Sequence, residues 1–340
     1  MVFGHVYQNS VSHNFIFSFH MPLFFMVAGW LYREIPVRQN IKHKFCTVMI
    51  PYFSFGLLTL IYWQLIERRF RASDMTFLQS LIGLIRGEYD FLDFNVHLWF
   101  LPCFFLTVVI YNGLRNVVGR RGTYIVAICL SAVYVIGVYS SFVLPSLPWG
   151  LNRVCQYIGF YAIGNWMSEL GVNGKVEAGR RTVWAVIATA VLAAVFTLSL
   201  SESTIGIDLT TGVFWFITGT LGTVAVGIYS ILLSGLRASI INNLISFLGR
   251  ISLVVLCVHG PVYRVISKVL SVVIGWETDA VRSNFFFAVV IVIITLAVCS
   301  IAYMVIDRLM PWMIGKPRRR KATVKETVAA TVSMRGRISE

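Results

Sequence analysis

The chain has 340 residues, of which 57% are hydrophobic and only 13% charged, about half the charged share of a soluble domain. That balance, with a mean hydropathy of +0.75, excludes a soluble globular protein and reads as an integral membrane protein. A formal net charge of +14 would suit a nucleic-acid binder, but the bases lie mostly in short segments between apolar runs, which argues against nucleic acid and leaves membrane lipid as the partner.

Runs of roughly 17 to 25 apolar residues cross the hydrocarbon as helices, because only internally hydrogen-bonded backbone is tolerated there. Nine such runs are expected, at about 15–32, 45–66, 98–114, 123–143, 151–167, 182–200, 211–233, 253–275 and 285–306. The expected fold class is therefore all-α, a polytopic helical bundle of nine full spans. "MVFGHVY" at the start looks like the last turns of a truncated N-terminal tenth span, and no signal-peptide pattern precedes it.

The fifth run, with Asn152, Arg153, Gln156 and Asn165, is the most polar and is expected inside the bundle. In the loop 67–97, Phe77, Leu78, Leu81, Ile82 and Ile85 recur at helical spacing, as in a short interfacial helix; an ordinary capping loop is the alternative. The six cysteines fall inside the apolar runs with no CxxC pair, so they are read as small packing residues. Residues 1–306 form one membrane domain, and 307–340 a basic cytoplasmic tail, mostly disordered.

Orientation follows from the bases, which stay cytoplasmic. With "KPRRRK" at 316–321 inside, the segments 33–44, 115–122, 168–181 and 235–252 are also inside, and most of the 29 Lys and Arg fall on that side. The chain is thus expected in a plasma membrane, such as a bacterial inner membrane, with its C-terminus cytoplasmic.

Four of the six histidines, His5, His20, His97 and His259, lie within or at the mouth of an expected span, while His13 and His43 read as solvated. Imidazole is costly in hydrocarbon, so it faces the bundle interior or a wet path and marks a relay or reaction site, or else makes an interhelical hydrogen bond. His5, His20 and His97 are expected toward the outer side, with His259 about six residues, roughly 9 Å, from the inner end of its span. Such a set suits proton acceptance from a hydroxyl. No two of them sit at i, i+3 or i, i+4 and no acid or cysteine completes a motif, so no metal is expected. Arg264 and Lys268, with Tyr263 and His259, give "HGPVYRVISK" a polar stripe: a cationic wall for an anionic ligand, with Arg153 as a second charge, or side chains snorkelling to the interface.

The stretches "VFGHVY" at 2–7, "FSFHMPLFFMVAGWLY" at 17–32, "HLWFLPCFFL" at 97–106 and "FLGRISLVVLCVHGPVYRVI" at 247–266, with "MIPYFSF" at 49–55, resemble the acyltransferase 3 family of membrane acyltransferases, in the branch of fucose 4-O-acetylases. The resemblance implies about ten spans and transfer of acetyl from cytoplasmic acetyl-CoA to a hydroxyl of a surface or lipid-linked glycan. By position it matches His5 to a histidine thought to be catalytic and His20, Trp99 and His259 to family motif residues, so His5 and His20 are expected to be catalytic. From their charge and placement, Lys42 and Lys44 are expected to attract the coenzyme A phosphates, and His97, Trp99, Arg153, His259 and Arg264 to bind the acceptor. The family also places an Arg or Lys about ten residues before its first-span histidine, ahead of the first residue here. Two other readings stand beside transfer: a transporter or flippase of a lipid-linked sugar, and an inactive, truncated family member.

Overall fold

A computed structural model describes residues 1–71, 73–140, 146–205, 212–235 and 239–316. The expected basic tail beyond Lys316, and Arg237 of an expected inner segment, lie outside the described residues. In chain order the helices are α1 (Val2–Val6), α2 (Ser10–Trp30), α3 (Val37–Lys44), α4 (Ile50–Leu65), α5 (Phe77–Arg86), α6 (Phe100–Tyr139), α7 (Leu151–Glu169), α8 (Val172–Ala178), α9 (Arg181–Ile205), α10 (Gly212–Ser234), α11 (Ser239–Ile274), α12 (Thr278–Ser283) and α13 (Phe285–Leu309). A π-helical turn, Phe45–Met49, joins α3 to α4, and no strand occurs among the described residues.

Seven helical segments among the described residues are long and apolar enough to cross a membrane. The difference from nine lies in two places. The runs at 98–114 and 123–143 are one element, α6, interrupted at Gly119, whose φ of 68° and ψ of −172° are not helical; glycine reaches that region without a Cβ clash. The polar fifth run is α7, 19 residues long but less apolar than the others. Its burial follows the sequence reading, since Tyr157, Phe160, Tyr161, Gly164 and Asn165 are all buried.

Helix α2 lies between α7 and α10, and small residues let the backbones meet. A methyl group added at Gly164 would collide with the Met26 carbonyl, and one at Gly29 with the Tyr161 carbonyl. Across the other face, Gly222 sits against the Phe19 ring and Gly219 against Pro22. Aromatic rings fill the space between: Phe25 stacks on Tyr157 with centroids 4.3 Å apart, and Trp215 meets Phe160 edge-on at 4.9 Å. Side chains such as Val186 of α9 and Ile293 of α13 remain exposed, as a lipid-facing surface requires.

Helix α5 forms where the periodicity places it, closed by a capping box between Thr76 and Gln79. Ser80, Gly83 and Leu84 are buried, with the Tyr52 hydroxyl of α4 donating to the Leu84 carbonyl at 2.6 Å, while Leu78, Ile82 and Ile85 stay exposed. At the far end, α13 runs to Leu309, and the 3-10 turn Pro311–Ile314 buries Met313 and Ile314 against the core. Residues 307–316 therefore belong to the bundle, not to a tail.

Candidate functional site

The site grows from one turn of α11, His259-Gly260-Pro261. Proline has no N–H, so Pro261 cannot donate to the Cys257 carbonyl one turn back. That carbonyl instead accepts a hydrogen bond from Asn95 Nδ2 at 2.7 Å, and Asn95 is completely buried. Gly260 makes the approach possible: a Cβ there would stand 2.7 Å from His97 Nδ1. The segment ahead of α6 is thus docked on α11, and His97 is brought to His259 with ring centroids 4.2 Å apart.

The four singled-out histidines converge. His5 lies 4.3 Å from His97, 5.4 Å from His259 and 6.0 Å from His20, between ring centroids. His259 Nδ1 faces the Val255 and Leu256 carbonyls at 2.7 and 3.1 Å, and His20 Nδ1 faces the Ile16 carbonyl at 3.2 Å. A carbonyl only accepts, so the proton is assigned to Nδ1 in both rings and Nε2 keeps its lone pair. His259 Nε2 and His97 Nδ1 are buried without a hydrogen-bond partner among the described residues. The nearest side-chain donor or acceptor atoms of His5, His97 and His259 lie within 4.8 Å of one another.

His5 is placed by a residue that the sequence did not single out. Arg282 of α12 donates from Nη2 to the His5 carbonyl at 2.9 Å and from Nε to the Val6 carbonyl at 3.1 Å, capping the end of α1. Arg282 also lies over the Tyr263 ring, 5.4 Å from its centroid.

Two expectations change. His259 is not near the inner end of its helix, because α11 begins at Ser239, well before the expected 253, and continues to Ile274. Arg264 is not a free cationic wall: its Nε is 2.7 Å from the Glu67 carboxylate and its Nη2 donates to the Phe94 carbonyl at 2.7 Å. Glu67 also pairs with Arg71 at 3.3 Å, and Arg71 with Asp93, so this network clamps the loop before α6 onto α11. Lys268 is exposed, as snorkelling expects.

Trp99 ends the turn that carries His97 and forms a second cluster. The Arg153 guanidinium stands 4.6 Å from the Trp99 ring and 4.7 Å from the Tyr89 ring, with no carboxylate within 4.0 Å among the described residues. Close by, Trp149 adopts φ 60° and its indole donates to the Ile85 carbonyl at 2.9 Å; a non-glycine residue held there stores about 1–2 kcal/mol.

A cavity of about 510 Å³ opens between α2, α3 and α6. Exposed Arg33 and His43 and half-buried Lys44 line its mouth, and Phe24 and Phe100 line its depth. Phe24 follows His20 by one turn of α2, and Phe100 follows His97 by three residues, although none of the four converging histidines lines the cavity. Lys42 lies outside this cavity, in a shallow groove with Arg38 and Ile41. The expected Lys42–Lys44 pair is therefore split, since residues two apart on a helix face about 200° away from each other.

These features define a polytopic helical membrane protein with a buried histidine centre. The model of the acyltransferase 3 family, an acyltransferase domain, matches residues 1–304, and the chain belongs to that family. No curated relative and no solved structure matches it.

Proposed function

We propose that the chain crosses the membrane nine times and is an O-acetyltransferase of the fucose 4-O-acetylase type, moving acetyl from cytoplasmic acetyl-CoA to a hydroxyl of a surface or lipid-linked glycan. The observation that carries this reading is the convergence of His5, His20, His97 and His259 from separate segments in a chain of this family. The acceptor oxygen attacks the thioester carbonyl, the C–O bond forms as the C–S bond breaks, and coenzyme A leaves as the thiol. His5 takes the hydroxyl proton and His20 supports it, each in reach of a neutral imidazole that can pass the proton on.

The cavity beside α3 supports the donor assignment. Its cationic mouth suits phosphates and its apolar depth suits the pantetheine arm. On the acceptor side, Trp99 offers a ring for a sugar to stack on, and Arg153 a guanidinium with no carboxylate partner among the described residues. The test is acetyl incorporation into surface glycan by His5→Ala and His20→Ala proteins at matched expression. Loss in both is expected, and wild-type incorporation by both would sink the assignment. A lipid-linked sugar transporter would leave glycan acetylation unchanged in every variant.

A further inference from the structure

We infer that His5, His97 and His259 form a binding site for a divalent transition metal, with zinc as the best fit. Their ligand nitrogens lie within 4.8 Å of one another, whereas nitrogens sharing a tetrahedral zinc at about 2.0–2.1 Å stand about 3.4 Å apart. Binding therefore draws these nitrogens together by about 1.4 Å at most, 4.8 Å less about 3.4 Å. Local spacing does not reveal such a set, because each ligand comes from a different segment: the end of α1, the turn before α6 and the middle of α11.

Two further observations point to a ligand. His259 is fully buried and His97 more than nine-tenths buried, yet His259 Nε2 and His97 Nδ1 have no hydrogen-bond partner among the described residues. A buried acceptor left unsatisfied is costly, and a bound cation relieves that cost. The opposite nitrogen of His259 faces the backbone carbonyls of Val255 and Leu256. A zinc-bound imidazole is held in just this way, its other N–H given to a carbonyl so that the lone pair is fixed on the metal. Arg264, the cation beside this centre, is already paired with Glu67, which lowers its repulsion of a second cation.

Three imidazoles leave the fourth position for water or an anion. This site does not rest on acetyl transfer, because binding is measured without turnover. A metal would also occupy the His5 lone pair, so metal-bound and proton-accepting states exclude each other.

The test uses the purified full chain in detergent micelles, stripped with a chelator and titrated with cobalt(II). One equivalent is expected to bind with the visible absorption of a four-coordinate site, and zinc to displace it. Affinity should fall at least tenfold in His97→Ala and His259→Ala and stay unchanged in His13→Ala. X-ray absorption of the zinc-loaded wild type, which needs no variant to fold, should count three imidazoles. No bound equivalent, sulfur ligands, fewer than three imidazoles or affinity unchanged in both variants would overturn the inference.

Discussion

Pro261 and Asn95 act on a single atom, the Cys257 carbonyl: the proline leaves it without a helical donor, and the asparagine supplies one. Removing Asn95 strands a buried acceptor, so Asn95→Ala should lower stability by about 1–3 kcal/mol. In the double variant with Pro261→Ala the helix regains its own N–H for that carbonyl. The two substitutions should therefore be strongly non-additive, with the double variant melting above Asn95→Ala alone; thermal unfolding of the four proteins in detergent measures this. Additive losses would show that the two residues act independently. The histidines were legible one by one, because an imidazole in an apolar run has few uses. Asn95, Gly260 and Arg282 were not. The proline in "HGP" does announce a free carbonyl four residues earlier, but nothing local names the distant side chain that fills it.

At the level of helices, the contact of α2 with α7 holds His20 in register with the other rings, and Gly29 and Gly164 set its closeness. Gly164→Leu should push the helices apart, lowering both the melting temperature and the yield of folded protein, at a cost of about 1–3 kcal/mol for overpacking. An unchanged melting temperature would show that α7 does not position α2. The existence and polarity of the helices followed from apolar run length, and so did the burial of α7, because Asn165 and Gln156 have no place against lipid. Which glycines face which backbone did not follow, since helix partners are set by the whole packing. The two basic residues of α3 give the same lesson from its surface. Lys44→Glu, at the cavity mouth, should raise the KM for acetyl-CoA about tenfold with little change in kcat, the pattern of lost ground-state binding. Lys42→Glu, facing the shallow groove, should leave KM near the wild-type value. Equal effects in steady-state kinetics would contradict the split.

For the molecule as a whole, the bundle brings together what the chain spreads across more than 250 positions, from His5 to His259. Hydropathy and charge alone read as a membrane bundle, and the family motifs lie where its histidines meet. Among the described residues seven helices are long and apolar enough to cross a membrane, because α6 joins two apolar runs across the break at Gly119 and α7 is more polar than the rest. A cationic cavity mouth, an apolar depth and a buried histidine centre follow one another along α2 and into α6, the order that a donor entering from one side of a membrane requires. The most direct measurement is turnover of labelled acetyl-CoA by the purified protein with a membrane glycan fraction as acceptor. The wild type should consume the donor and acetylate glycan, and His5→Ala should bind the donor yet transfer at least about a hundredfold more slowly, the lower end of what a positioned base supplies. Failure of the wild type to bind or consume acetyl-CoA, or equal turnover by His5→Ala, would contradict the account.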